Sequence, residues 1–350
     1  MAKVAINGLG RIGRATLKIV MDTPGLDLVA VNDIGAPDSI AYLLKYDTVY
    51  GRYEKTVDTG DDGTLTIGKQ RLTLLREENP ARLPWASLNV DIVFECTGVF
   101  TGRQDLDAHI RAGARYVILS APSKSDDVET IVHGVNTPHG ATAVISCASC
   151  TTNCITPVME ILGRRIGVEK AIMTTVHAYT SSQAIVDAPR RNARRGRAGA
   201  ANLVPTSTGA AAATARALPE YRGRFDGIAV RAPVPVGSLA DIVALAARAT
   251  TVDEVNRVFT EEAESERYRG VLGVTTDPFV SSDIIKDSRA SVVDLGMTQV
   301  VDGDLIKVMS WYDNEWGYSS QLVREALRIA REMDNWASPG RNRQTNQSKR

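Results

Sequence analysis

Three of the four cysteines in this chain fall within eight residues, in Ser146-Cys-Ala-Ser-Cys-Thr-Thr-Asn-Cys154. Cys150 stands where a strand-like run gives way to a helix predicted over Thr152–Arg165. Unpaired amides and the helix dipole stabilise a thiolate at such an N-terminus. A free thiol of pKa ~8.5 is only ~3% ionised at neutral pH, and a pKa of ~6 would raise the thiolate roughly thirtyfold. A histidine within reach would hold its proton and serve as a base. Of the four histidines, His177 lies inside the apolar strand-like run Thr174–Tyr179. His109 falls on a helix predicted to be exposed, and His133 and His139 sit beside glycine-containing turns. Taken singly, His177 reads as a satisfied core histidine and Cys150 as an inert buried thiol; only the company they keep points to thiol–imidazole chemistry.

A second group of residues suits a dinucleotide. Asn7 precedes Gly8-Leu-Gly10-Arg11-Ile12-Gly13, a G-x-G-x-x-G run that follows the strand-like Val4-Ala-Ile6 and opens a helix over Arg11–Val20. The first glycine allows the tight turn, the second lets backbone approach a pyrophosphate, and the third lets helix and strand pack closely. Asp33, twenty residues on at the end of the next strand, would accept ribose hydroxyls and repel a 2′-phosphate, favouring NAD. A solvated turn with a solvated Asp is the plain alternative; strand, spacing and acid together argue against it.

Anion recognition has three candidates. Pro205-Thr-Ser-Thr208-Gly209 is a hydroxyl- and amide-rich turn, and Arg231 precedes Ala-Pro-Val-Pro235 at a strand end. Arg190–Arg197 is a basic run that also reads as a solvated loop or a nucleic-acid patch, but it lacks aromatic residues for base stacking.

The elements that must position these groups are legible in outline. Residues 1–150 alternate apolar runs with helical stretches, which predicts an α/β domain with a parallel sheet. Tyr53–Leu75 alternates like an antiparallel hairpin turning at Asp62-Gly63. After Cys150, Thr174–Tyr179 and Gly227–Arg231 read as strands of a second sheet, and Thr250-Thr-Val-Asp-Glu254 opens a helix with a capping-box start. Ser319–Glu332 is a final amphipathic helix, and the polar tail 336–350 reads as disordered. Charge balances at zero, with 41 basic and 41 acidic residues, so the chain as a whole is not drawn to nucleic acid or an anionic membrane. Cysteine spacing completes neither a disulfide framework nor a zinc site. No apolar run reaches the ~18 residues of a membrane span and no leader precedes the first strand, which predicts a cytoplasmic protein in a reducing compartment.

Taken together the segments resemble the glyceraldehyde-3-phosphate dehydrogenase family. The matching strings are Ile6–Arg14, Leu44-Lys-Tyr-Asp47, Glu95-Cys-Thr-Gly98, Ser120-Ala-Pro122, Ala148–Cys154, Thr175-Val-His177, Pro205–Gly209 and Trp311–Tyr318, in family order. The resemblance implies a Rossmann-type domain over 1–150, joined by a C-terminal helix over 316–333, and an α+β catalytic domain over 151–315 with a mixed or antiparallel sheet. It implies phosphorylating oxidation of D-glyceraldehyde 3-phosphate, with Cys150 as nucleophile and His177 as base. Ser149, Thr151, Arg197, Thr208 and Gly209 match positions around inorganic phosphate, and Thr180 and Arg231 those holding the substrate phosphate. Asn7, Gly8, Gly10, Arg11, Ile12, Gly13, Asp33, Ser120, Asn314 and Tyr318 match the cofactor site. The loop Ala178–Leu203 resembles a segment that packs near a neighbour's cofactor, implying a homotetramer.

Some positions depart from the family. Cys147 stands where members carry Asn, adding a second thiol open to oxidation, and Glu78 where they carry Arg near the adenosine. Asp33-Ile-Gly35 resembles members that use both cofactors, and Ala188-Pro189 half matches the Leu-Pro of NAD-specific ones, which keeps NADP as a second cofactor. Erythrose-4-phosphate dehydrogenase is the nearest rival, but Ala178-Tyr-Thr180 and Thr206–Gly209 side with glyceraldehyde phosphate. A non-catalytic RNA-binding or redox-signalling role is the rival from another class; intact Cys150, His177 and Arg231 argue against it.

Overall fold

The computed structural model describes residues 1–60, 62–140 and 142–336. The tail expected to be disordered lies outside these residues, apart from Trp336 at the end of the last helix.

The strand-like runs near the N-terminus are buried on both faces. Val4, Ala5, Ile6, Ile92, Val93 and Phe94 have no exposed surface, as strands do when helices cover both sides of a parallel sheet. The nine-stranded sheet they form is centred on Ala2–Asn7, which pairs in parallel with Leu26–Asn32 on one side and Ile92–Glu95 on the other. Gln70–Leu75 continues the first side, and Tyr116–Leu119 and Val144–Ser146 the second, all in parallel. The chain therefore reverses its direction of build beside the central strand, and in such sheets ligands bind outside the carboxyl ends at that point. Asn7, Asn32 and Glu95 are the residues at those ends. Val57–Gly60 and Thr64–Ile67 extend the edge antiparallel, forming the hairpin anticipated at Asp62-Gly63.

The second sheet has eight strands and is mixed. Val168–Ala178 runs parallel to Phe225–Ala232 and antiparallel to Ser238–Ala246, which pairs in turn with Leu305–Tyr312. Along Val168–Ala178, Met173, Thr175 and His177 are buried while Ile172 and Val176 are exposed, the alternation of a strand with one covered face. Helices Cys150–Arg165 and Val252–Glu264 pack on the covered side. The last helix, Trp316–Trp336, starts earlier than its apolar stripe suggests. It packs on Arg11–Val20 and supplies Tyr318, Leu322, Val323, Ala326 and Ile329 to the core of the first sheet.

Two local expectations change. His109 is not exposed: the helix Arg103–Arg111 turns it into the interior, where Trp85 Nε1 donates to Nδ1 at 3.0 Å and Nε2 lies 3.1 Å from Glu95. At the start of Val252–Glu264, Thr251 caps the amide of Glu254, but the return half of the capping box is absent because Arg248 and Thr250 hold the Glu254 carboxylate. No helix among the described residues is long and apolar enough to cross a membrane.

Candidate active site

Cys150 is the first residue of the helix Cys150–Arg165 and packs against the cores of both sheets, at their seam. Ser149 caps this helix, its hydroxyl accepting from the amide of Thr152 at 3.2 Å, while Ala148 before it takes a left-handed φ of 54°. Tyr318 holds that turn by donating its hydroxyl to the Ala148 carbonyl at 2.8 Å. The strand register then aligns His177 with Arg231 on the neighbouring strand, so both side chains leave the sheet on the side facing the cysteine helix.

Cys150 Sγ lies 3.4 Å from His177 Nε2. His177 Nδ1 is 2.7 Å from the Ala178 carbonyl, which can only accept, and 2.9 Å from Arg231 Nη1, which can only donate; with the Nδ1 proton given to the nearer carbonyl, Nε2 presents a lone pair to the sulfur. Arg231 donates to the same carbonyl at 2.9 Å. Burial, reinforced by Arg231 and Arg195, drives the imidazole down to about 3. It is a neutral base at physiological pH.

The thiol behaves differently from the sequence-based expectation. Burial pushes Cys150 above its ordinary value, and Arg231 and the amides of Thr151 and Cys150 only partly oppose it. The pair is thus thiol and imidazole, with the proton poised to cross between them. Burial also pushes Cys147 well up, and at 3% exposure it is an inert interior thiol, not a second reactive one.

Two guanidiniums face this pair without a carboxylate partner among the described residues. Arg231 has no ion pair, and its Nε is buried with no hydrogen-bond partner. Arg195 donates to Thr206 at 3.1 Å and, with Arg231, bears on the charge of His177. Arg197, the arginine singled out from the sequence, instead pairs with Asp187 in the exposed part of the loop. Thr180 bonds Ser182 through its hydroxyl at 2.8 Å. Thr151 turns its hydroxyl inward to Tyr312 at 2.9 Å, leaving its backbone amide as its outward donor. Gly209 is the N-cap of the helix Ala210–Ala217, Thr208 Oγ1 accepts from the Ala210 amide at 3.2 Å, and that helix meets the cysteine helix through Thr156 and Thr214.

Sequence reasoning missed Arg195 and Tyr312. The Tyr312 ring packs edge-on against His177, centroids 5.9 Å apart, and its hydroxyl joins Thr151 and Thr175. Its place in Trp311–Tyr318 was the available signal. For Arg195 there was none, because five arginines of one run look alike until the loop folds.

The glycine turn fits a dinucleotide. Gly8 has φ of 93°, and a Cβ there would lie 2.7 Å from the Thr97 amide; one on Gly13 would lie 1.9 Å from the Gly8 carbonyl. Gly10 faces open space, and the helix behind it has no side-chain cap and no acid in its first turn, so the amides of Arg11, Ile12 and Gly13 are available to a pyrophosphate. The Arg11 side chain is engaged elsewhere, with Glu315 and Asp47. A cleft at the sheet's carboxyl ends runs from Asn7, Gly8 and Gly10 past Asp33 to Glu77, Glu78 and Thr97. Asp33 is fixed by accepting from the Leu9 amide at 2.7 Å and the Gly35 amide at 2.8 Å. Ser120 follows a strand end, its amide bonded to the Glu95 carbonyl at 2.9 Å. Asn314 accepts from Gly237 and Ser238 through Oδ1, which leaves its amide hydrogens for a ligand.

Residues 2–103 match the family model for the NAD binding domain of glyceraldehyde 3-phosphate dehydrogenase, and residues 149–314 the model for its C-terminal domain. Glyceraldehyde-3-phosphate dehydrogenase 2 of Streptomyces avermitilis is 47% identical over 325 residues, covering 92% of this chain and 96% of its own. The corresponding enzyme of Zymomonas mobilis is 44% identical over 334 residues, 94% and 98% of the two chains. That of Borreliella burgdorferi is 44% identical over 338 residues, 94% and 100%. Likeness of that depth along nearly the whole chain makes this protein a member of the glyceraldehyde-3-phosphate dehydrogenase family.

Proposed function

We propose that the chain oxidises D-glyceraldehyde 3-phosphate with NAD and inorganic phosphate to 1,3-bisphosphoglycerate in the cytoplasm, through a thioester on Cys150. The observation that carries this reading is the contact between Cys150 Sγ and His177 Nε2 beside two guanidiniums lacking carboxylate partners. A half-buried cation without a counter-charge carries a desolvation cost, and a phosphorylated aldehyde brings the anion that Arg231, with Thr180, would hold. The name shared by the relatives supports that substrate.

The protein's own groups account for the proton movements. His177 Nε2 takes the thiol proton as sulfur adds to the aldehyde carbon, then returns it to the carbonyl oxygen, giving a hemithioacetal. It next removes that hydroxyl proton as the carbon–oxygen double bond re-forms and the C–H bond breaks. NAD, when bound, supplies the hydride acceptor. Amides at the start of the cysteine helix face the oxygen on which charge develops. A phosphate oxygen then attacks the acyl carbon, the carbon–sulfur bond breaks, and Cys150 recovers its proton from His177. Ser149, the amide of Thr151, Thr208 and Gly209 are the groups for inorganic phosphate. Arg231 and Arg195 weaken His177 as a base while unpaired; substrate phosphate, by neutralising them, strengthens it when it is needed.

Asn7, Gly8, Gly10, Gly13 and the amides of Arg11 and Ile12 would receive the pyrophosphate, Asp33 the adenosine ribose, and Ser120, Asn314 and Tyr318 the nicotinamide side. Asp33, Glu77 and Glu78 all line the adenosine end. That acidic lining opposes a 2′-phosphate and supports NAD over NADP. The outward face of the second sheet supports a homotetramer, since Ile172 and Ile228 are 62% and 51% exposed and Val176 lies beside them; apolar surface of this kind ordinarily meets a partner.

The test is NAD reduction with glyceraldehyde 3-phosphate and phosphate. Wild type turns over, and Cys150→Ser loses essentially all turnover while still binding NAD. Sustained turnover in that variant would refute the assigned nucleophile.

A further inference from the structure

Beneath the adenosine end of the cleft lies a buried polar chain that the sulfur chemistry does not use. Glu95 ends the strand Ile92–Glu95 with no exposed surface. Four donors converge on its two oxygens. Thr97 gives its amide at 2.8 Å and its hydroxyl to Oε1. Asn7 gives its side-chain amide at 2.6 Å, and His109 its Nε2 at 3.1 Å, to Oε2. Trp85 Nε1 can only donate, so its bond to His109 fixes Nδ1 as acceptor and Nε2–H as donor. His109 thus joins Asn7 and Thr97 in supporting the carboxylate by hydrogen bonds.

An acceptor-only group at this position sets the direction of every bond beyond it. Asn7 must turn its NH2 toward Glu95, which leaves Asn7 Oδ1 to accept from Asn32 Nδ2 at 2.7 Å. Asn32 Nδ2 also reaches the Glu77 carbonyl, and Asn32 Oδ1 accepts from the Glu77 amide, each at 2.9 Å. Glu95 thus holds Thr97 directly and Glu77 through two amides. Strand order places Thr97 and Glu77 on opposite sides of the central pair Ala2–Asn7 and Leu26–Asn32. They form two walls of one cleft, with Asn7 as its floor.

We propose that Glu95 is a positioning residue for NAD: its carboxylate orients Asn7 and Asn32 and so fixes both walls of the adenosine pocket. The inference rests on the cofactor site read above. Glutamine has nearly the same shape but carries an NH2 on one side, which would confront a donor from Asn7, His109 or Thr97. The chain of orientations would then lose its fixed direction, while the sulfur, His177 and Arg231 stay as they are.

The experiment compares the full-length wild type with Glu95→Gln. Titration with NAD should show a dissociation constant raised about tenfold, the scale of losing a hydrogen bond to a charged group. At saturating NAD, kcat and the KM for phosphate should stay within about twofold, since only binding of one ligand is touched. Unchanged NAD affinity in folded Glu95→Gln overturns the proposal, and so does an equal rise in the KM for phosphate, which would mean general loosening. Should Glu95→Gln fail to fold, His109→Gln decides, because it disturbs the same carboxylate from one side. Weaker NAD binding with kcat preserved is expected there, and unchanged binding overturns the proposal. Wild type that did not bind NAD would instead refute the cofactor site itself.

Discussion

His177 is held neutral by its surroundings, and this links the site to acid stability. Its proton affinity falls from an ordinary value of 6.5 to about 3 on folding. Between those pH values the unfolded chain carries a proton that the folded chain refuses, so acid favours unfolding there, and the contribution is complete only above 6.5. Urea unfolding from about pH 7 to about pH 4 should show His177→Asn losing less stability than wild type, by up to about 1.4 kcal/mol per pH unit. Parallel curves for the two proteins would show that the imidazole titrates normally when folded. Cys150 and His177 were legible as residues because their types and motifs are distinctive. Their protonation was not. A helix N-terminus alone suggests a depressed thiol, and only the packed structure shows burial outweighing it. The choice of Arg195 over Arg197 likewise depends on a loop whose shape is set by Asp187 and Thr206.

At the scale of elements, what could be read was what local pattern controls. The glycine run predicted a turn and a close helix–strand approach, and the 1.9 Å gap a Cβ on Gly13 would meet shows why that residue has no side chain. Helix Arg11–Val20 and the hairpin strands fell where periodicity and turn residues placed them. His109 did not, because the partners that make its burial tolerable, Trp85 and Glu95, are remote in sequence. The Thr251 cap fails to close for a nearby reason, since Arg248 takes the Glu254 carboxylate that would have closed it. Polar residues inside an element are thus the ones a single sequence misplaces, since their cost is met by tertiary partners.

For the whole molecule, the two cores meet at Cys150, so the proposed nucleophile is anchored by both sheets while each carries its own proposed ligand groups. Nothing in local pattern shows this meeting; it follows from the last helix returning to the first core. The exposed apolar face of the second sheet belongs to the same scale. Light scattering should give a particle of four times 37.8 kDa, and a monomer would leave Ile172 and Ile228 without a partner. The central claim is a covalent acyl group on one sulfur, and it is tested most directly by mixing the enzyme with NAD and glyceraldehyde 3-phosphate while withholding phosphate. The account predicts a burst of one NADH per chain, with peptide mass analysis finding the acyl group on Cys150. Continuous turnover without phosphate, or an acyl group on any other residue, would contradict it.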